Sequence, residues 1–142
     1  GTLSLSTNQN GANAGGCLLF AALNDSGNTK PQASIKSLLV NGGGQGVGDL
    51  AFSTRASTGA AVLTERMRIV GTTGNLGIGT ISPASEANLS LGAKSASEGG
   101  HLVLFKGTSQ TYATHIDNYA NSFRMMSGSD TASATVQFQL NH

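Results

Sequence analysis

The chain has no tryptophan, a single cysteine and few charges: only 11 % of its 142 residues are Asp, Glu, Lys or Arg, and the formal net charge is +1. Each shortage excludes something. So balanced a charge offers no polyanion-binding surface, and nucleic acid is not an expected partner. With Cys17 alone, no intrachain disulfide can form, which fits assembly in a reducing cytoplasm. No run approaches the roughly 20 apolar residues of a membrane span, so membrane insertion is not expected. No signal-peptide pattern opens the chain, which begins with Gly1 and reads as a piece of something longer. Large apolar residues are scarce too, with 36 Val, Ile, Leu, Met, Phe and Tyr in all. That is a thin core for an isolated monomer, and oligomerisation is the usual remedy.

What the chain has instead is small residues: Ala, Gly, Ser and Thr fill 68 positions. Low net charge and recurrent alternating apolar runs argue against disorder. Residues 2–6 (TLSLS), 17–23 (CLLFAAL), 33–40, 49–54 and 62–70 read as strands, the second of them as a buried one. Asn/Gly-rich stretches at 7–16, 24–27 and 41–48 read as turns and loops. No segment sustains helical periodicity. The expected fold is all-β, built from short-strand modules with no substantial helix.

The chain is organised around residues 65–83, ERMRIVGTTGNLGIGTISP. Strict alternation there places Leu63, Glu65, Met67 and Ile69 on one face and Thr64, Arg66, Arg68 and Val70 on the other. Glu65, on the face expected to be buried, then needs a guanidinium partner from Arg55, Arg66 or Arg68. Leu76 and Ile78 alternate with Gly77 and Gly79, leaving one face bare for the close approach of another backbone. E-R-M-R-I followed by G-N-x-G-I-G-T-x-S-P resembles a segment recurrent in bacteriophage tail-fibre and tail-spike proteins, where it often lies upstream of an intramolecular chaperone domain. The match covers residues 65–69 and 74–83 and departs from the commonest form at Leu76 and Ile81. The resemblance implies a homotrimeric fibre of β-sandwich or β-prism-like build. Glu65, Arg66, Met67, Arg68, Ile69, Gly74, Gly77, Ile78, Gly79 and Pro83 would be its structural and trimer-forming residues.

After Pro83 the chain starts again. Asn88-Leu89-Ser90-Leu91 answers Thr2-Leu3-Ser4-Leu5, and Gly99–Phe105 answers Gly15–Phe20 with one extra residue. Ala113–Ile116 stands for Ala33–Ile35, Ser122–Met126 for Asp49–Thr54, and Val136–Leu140 for Glu65–Ile69. Such self-similarity sets architecture. It predicts a first β repeat over 1–83 and a second, shorter one over 84–142, which lacks its own Gly-x-Gly run after Leu140.

Chemistry is sparse. The Gly77-x-Gly79 pattern lacks the Gly-Lys-Ser/Thr and the helix of a phosphate loop. His101, His115 and His142 have no metal-ligand spacing, but His115 and Asp117 share a strand face and are candidate ligands for an ion on a threefold axis. Cys17 reads as a small buried hydrophobe. Asp25, Asp49, Asp117 and Asp130 are explained as residues beside turns and strand ends. Tyr112, Asn118 and Tyr119 are candidate contacts to a sugar or protein surface, and polar loops at 7–16 and 106–112 would frame them. No enzyme activity and no cofactor are expected. The resemblance implies a virion protein assembled in the host cytoplasm, joined to other fibre or baseplate proteins and adsorbing to host surface glycan or protein. A tail-spike depolymerase is the competing class, poorly served by the few carboxylates. A bacterial adhesin stalk is the third.

Overall fold

The computed structural model describes residues 1–9, 11–24, 26–60, 62–105, 108–109, 111–128 and 135–141. No helix occurs among them, and none is therefore long and apolar enough to cross a membrane. The strands are β1 (Cys17–Leu23), β2 (Thr29–Asn41), β3 (Val47–Arg55), β4 (Leu63–Ile69), β5 (Leu76–Ile78), β6 (Leu89–Leu91), β7 (Glu98–Leu104), β8 (Ala113–Tyr119), β9 (Ser122–Gly128) and β10 (Thr135–Asn141). One sheet runs β1-β2-β3-β4-β5-β6 and the other β10-β9-β8-β7. The chain divides into two compact units, Gly1–Ser90 and Leu91–His142.

Turn chemistry makes the hairpins. Asn24 Oδ1 accepts from the backbone N–H groups of Ser26 and Asn28 at 3.1 and 2.8 Å, and Gly27 takes a φ of 74°, closing β1 onto β2. Asn41 Oδ1 accepts from Gly43 N–H at 2.9 Å, and Gly44 and Gly46 supply the positive φ that turns β2 into β3. Between β8 and β9, Ala120 and Asn121 both have positive φ, 46° and 65°, the two-residue hairpin turn that matches strand twist.

In the first unit the buried face is the polar one. Ser34, Leu38, Asp49, Ala51 and Asn75 are buried, and cross-strand register puts Lys36 and Arg68 opposite Ala51 on that same face. The other face carries an apolar row across five strands: Leu18, Ile35, Phe52, Met67 and Ile78 pair in sequence. Its ends are open, with Leu18 41 % and Ile78 44 % exposed.

The second unit carries a similar row across four strands. Leu102 pairs with Ile116, Ile116 with Met125 and Met125 with Phe138, an equivalent row that is again partly exposed. One strand bulge recurs as well. Phe52 and Ser53 face Met67 and Glu65, so Arg66 is skipped; Met125 and Met126 face Phe138 and Val136, so Gln137 is skipped. A β-carbon on Gly16 would lie 1.9 Å from Leu5 O, and one on Gly100 would lie 2.6 Å from both Leu91 O and Leu91 Cβ. Equivalent glycines thus admit equivalent leucines.

Three expectations about the strands need correction. Residues 2–6 form no strand: Leu5 lies against the Gly16 backbone outside the ladder of the sheet. The apolar run 17–23 is a strand but not a buried one, because β1 lies at the sheet edge; Leu19, Phe20 and Leu23 are 54 %, 49 % and 71 % exposed, and Cys17 is only half-buried. Alternation along β4 is not strict. The bulge at Arg66 takes Glu65 off the face of Met67 and Ile69 and onto that of Arg68.

Candidate functional site

The segment 65–83 is a connected local structure. Glu65 grips Arg68 in a two-pronged ion pair, Oε1 to Nε at 2.6 Å and Oε2 to Nη2 at 2.8 Å. Arg68 Nη1 donates in turn to Asp49 Oδ2 at 2.9 Å, while Asp49 Oδ1 accepts from Gly71 N–H at 2.9 Å. Hydrogen bonding to Glu65 is the main reason Arg68 holds its proton more tightly than an ordinary arginine. The other two candidate partners are engaged elsewhere, Arg55 with the carbonyls of Pro31 and Ala60 and Arg66 with Thr54 Oγ1. Asp49, expected at the start of a strand, is thus a buried residue of β3 with an arginine partner.

The glycines of this segment are spent inside one chain. Gly74 (φ 74°) closes the β4–β5 turn, and Gly79 (φ 73°) ends β5 while its N–H donates to the carbonyl of the bulged Arg66 at 2.8 Å. A β-carbon on Gly77 would lie 2.6 Å from Thr80 O and 3.2 Å from Pro83 Cγ. Buried Asn75 donates its side-chain N–H groups to Ala84 O and Ser85 O at 2.9 and 3.1 Å, tying down the stretch after Pro83. Ile78 lies on the other face, at the end of the apolar row.

The second unit holds the chemically denser cluster. His115 and Asp117 share the buried face of β8, each 3 % exposed. Register then brings residues that the sequence reading left apart. His101 stands opposite Asp117 across β7–β8, with its Nε2 3.0 Å from His115 Nδ1. Arg124 stands opposite Asp117 across β8–β9 and binds both carboxylate oxygens, through Nε at 2.9 Å and through Nη2. Those bonds raise the Arg124 pKa above its ordinary value. Glu98 Oε1 lies 3.7 Å from His101 Nδ1, and Glu98 Oε2 lies 3.8 Å from Lys94 Nζ. Asp117, read from sequence as a strand-end residue, is the fully enclosed centre of this cluster. The two-residue turn at Ala120-Asn121 carried the signal for Arg124, since it dictates the pairing of 117 with 124.

The proposed surface contacts are not gathered in one place. Asn118 and Tyr119 lie at one end of β8 and Tyr112 before the other, roughly 20 Å of extended strand away. Tyr112 is 60 % exposed and Tyr119 42 %, the latter with the Arg124 guanidinium carbon 4.3 Å from its ring centroid. Asp25, Asp130 and His142 lie outside the described residues, as does part of the loop 106–112. In the first unit a groove of about 990 Å³ opens beside Asn24, Lys30, Arg55 and Val62, with no acid among the described residues that line it. No protein-family model and no curated protein matches the chain, so its chemistry rests on this geometry alone.

Proposed function

We propose that the chain is a structural and host-recognition segment of a phage tail fibre, a homotrimer whose copies cover one another's apolar rows. The observation that carries this reading is the row itself. Leu18-Ile35-Phe52-Met67-Ile78 recurs as Leu102-Ile116-Met125-Phe138 at the same register, on the face that each sheet leaves partly open. Among the described residues only Leu38, Ala51, Ala113 and Met126 are buried hydrophobics. Covering a large apolar side chain is worth about 1.5–3 kcal/mol, so a row present twice per chain rewards association far more than it supports a monomer. Identical rows on identical chains fit one another, which favours self-association in a sandwich- or prism-like bundle over a foreign partner. The resemblance of residues 65–69 and 74–83 to phage-fibre segments supplies the virion setting and the fibre or baseplate neighbours. Exposed Tyr112, Asn118 and Tyr119 are the groups offered to host surface glycan or protein.

Sedimentation equilibrium on the full chain tests the reading. The expected mass is three times that of the chain, and a stable folded monomer would sink it. A glycan array probed with the same material tests recognition, with loss of signal expected in Tyr119→Ala.

A further inference from the structure

We propose that Glu98, His101 and Asp117 form a binding site for a divalent transition-metal ion of the zinc class, one per chain, with His115 as a positioning residue. The site does not rest on the fibre reading, because all four residues belong to one unit of one chain.

A bulge builds it. Glu98 pairs with Tyr119 and His101 with Asp117, so β7 spends three residues where β8 spends two. Without the extra residue, Glu98 and His101 would project from opposite faces; with it they share one. The two residues between them are Gly99 and Gly100, and Leu91 packs against Gly100, where a β-carbon would lie 2.6 Å from its O and Cβ. One ligand atom from each of Glu98, His101 and Asp117 then falls within 4.8 Å of the others.

One tautomer of the His101–His115 pair suits an ion. When neutral His101 donates its Nε2–H to His115 Nδ1, its own Nδ1 carries a bare lone pair. In that tautomer the lone pair faces Glu98 Oε1 at 3.7 Å, beyond hydrogen-bond distance. Around a tetrahedral zinc with ligands at about 2.0–2.2 Å, neighbouring ligand atoms stand about 3.3–3.6 Å apart, so a small contraction admits the ion. Imidazole plus carboxylates is a borderline donor set that suits zinc rather than calcium or magnesium. Asp117 spends one lone pair per oxygen on Arg124 and keeps another for a metal, and Glu98 keeps its capacity beside the distant Lys94 ammonium. The His115–His101 bond fixes ring orientation, as the outer partner of a metal-bound histidine does.

The test uses the full chain and the metal alone. Zinc affinity is measured by competition with a chromophoric chelator, and cobalt(II) is added to read ligand number from its visible spectrum. One equivalent per chain is expected, with a zinc-dependent rise in melting temperature reversed by EDTA. His101→Ala and Glu98→Gln should abolish both signals. His115→Ala should keep the cobalt spectrum but weaken zinc by about 10–100-fold, the usual effect of losing an outer partner. Glu98→Gln is part-exposed and guards against a result due to misfolding. Absence of binding by the parent chain, or parent-like binding in folded Glu98→Gln, would overturn the proposal.

Discussion

Glu65 and Arg68 stand three residues apart on one strand and yet meet on one face, because the bulge at Arg66 removes a step of alternation between them. Glu98 and His101 are related in the same way across Gly99-Gly100. In both units a bulge brings two ionisable residues of one strand onto one face, while regular pairing sets Asp117 opposite Arg124.

Breaking the first of these pairs leaves Arg68 with Asp49 alone. Hydrogen bonds to charged groups are worth about 1.5–3 kcal/mol, so Glu65→Ala should cost that much in a urea melt. Glu86→Ala, at an exposed residue whose carboxylate accepts from Ser85 Oγ at 3.4 Å, should stay within about 0.5 kcal/mol. Equal melts for the two variants would mean that water already screens the network.

Alkaline pH separates Arg68 from a lysine. The folded pKa of Arg68 is raised above its unfolded value, so its contribution is complete below the ordinary arginine range and lost only as pH climbs past it. Stability should therefore show no step from this pair between pH 7 and about 11. In Arg68→Lys the loss should move to just above the lysine value of about 10.4. A parent chain that weakens as early as the variant would contradict the assignment.

Gly77→Ala should destabilise by about 1–3 kcal/mol, since the new methyl meets the rigid backbone oxygen of Thr80 at 2.6 Å. Gly59→Ala is the control, with nothing among the described residues within 4 Å of its β-carbon. A neutral Gly77→Ala would show that the stretch after β5 gives way freely.

Asn75→Ala removes both side-chain bonds to the carbonyls of Ala84 and Ser85. Limited proteolysis should then cut near residues 80–88 faster than in the parent, while cleavage elsewhere is unchanged. Uniform acceleration over the whole chain would instead report global unfolding.

Phe52→Glu and Met125→Glu place a charge in the middle of each apolar row. Both should lower the sedimenting mass while the far-ultraviolet circular dichroism stays that of a β protein. An unchanged mass would move the chain–chain contact off these rows.

Much of the fold was legible in the residues. Period-two runs between Asn/Gly turns predicted β1 to β4. The preference of guanidinium for carboxylate predicted an arginine for Glu65, and the shared parity of 115 and 117 placed His115 and Asp117 on one face. Bulges were not legible, because an extra residue in a ladder is set by which neighbour pairs best and leaves no local mark beyond a glycine. Hence the choice of Arg68 over Arg66, and the addition of Glu98 and His101 to His115 and Asp117, belonged to the tertiary structure. So did the faces: sequence gave Phe52 and Met67 no less claim to the interior than Asp49 or Ser34. Packing decided, burying the side with small residues and a satisfied ion network and leaving the apolar row half-buried with open ends.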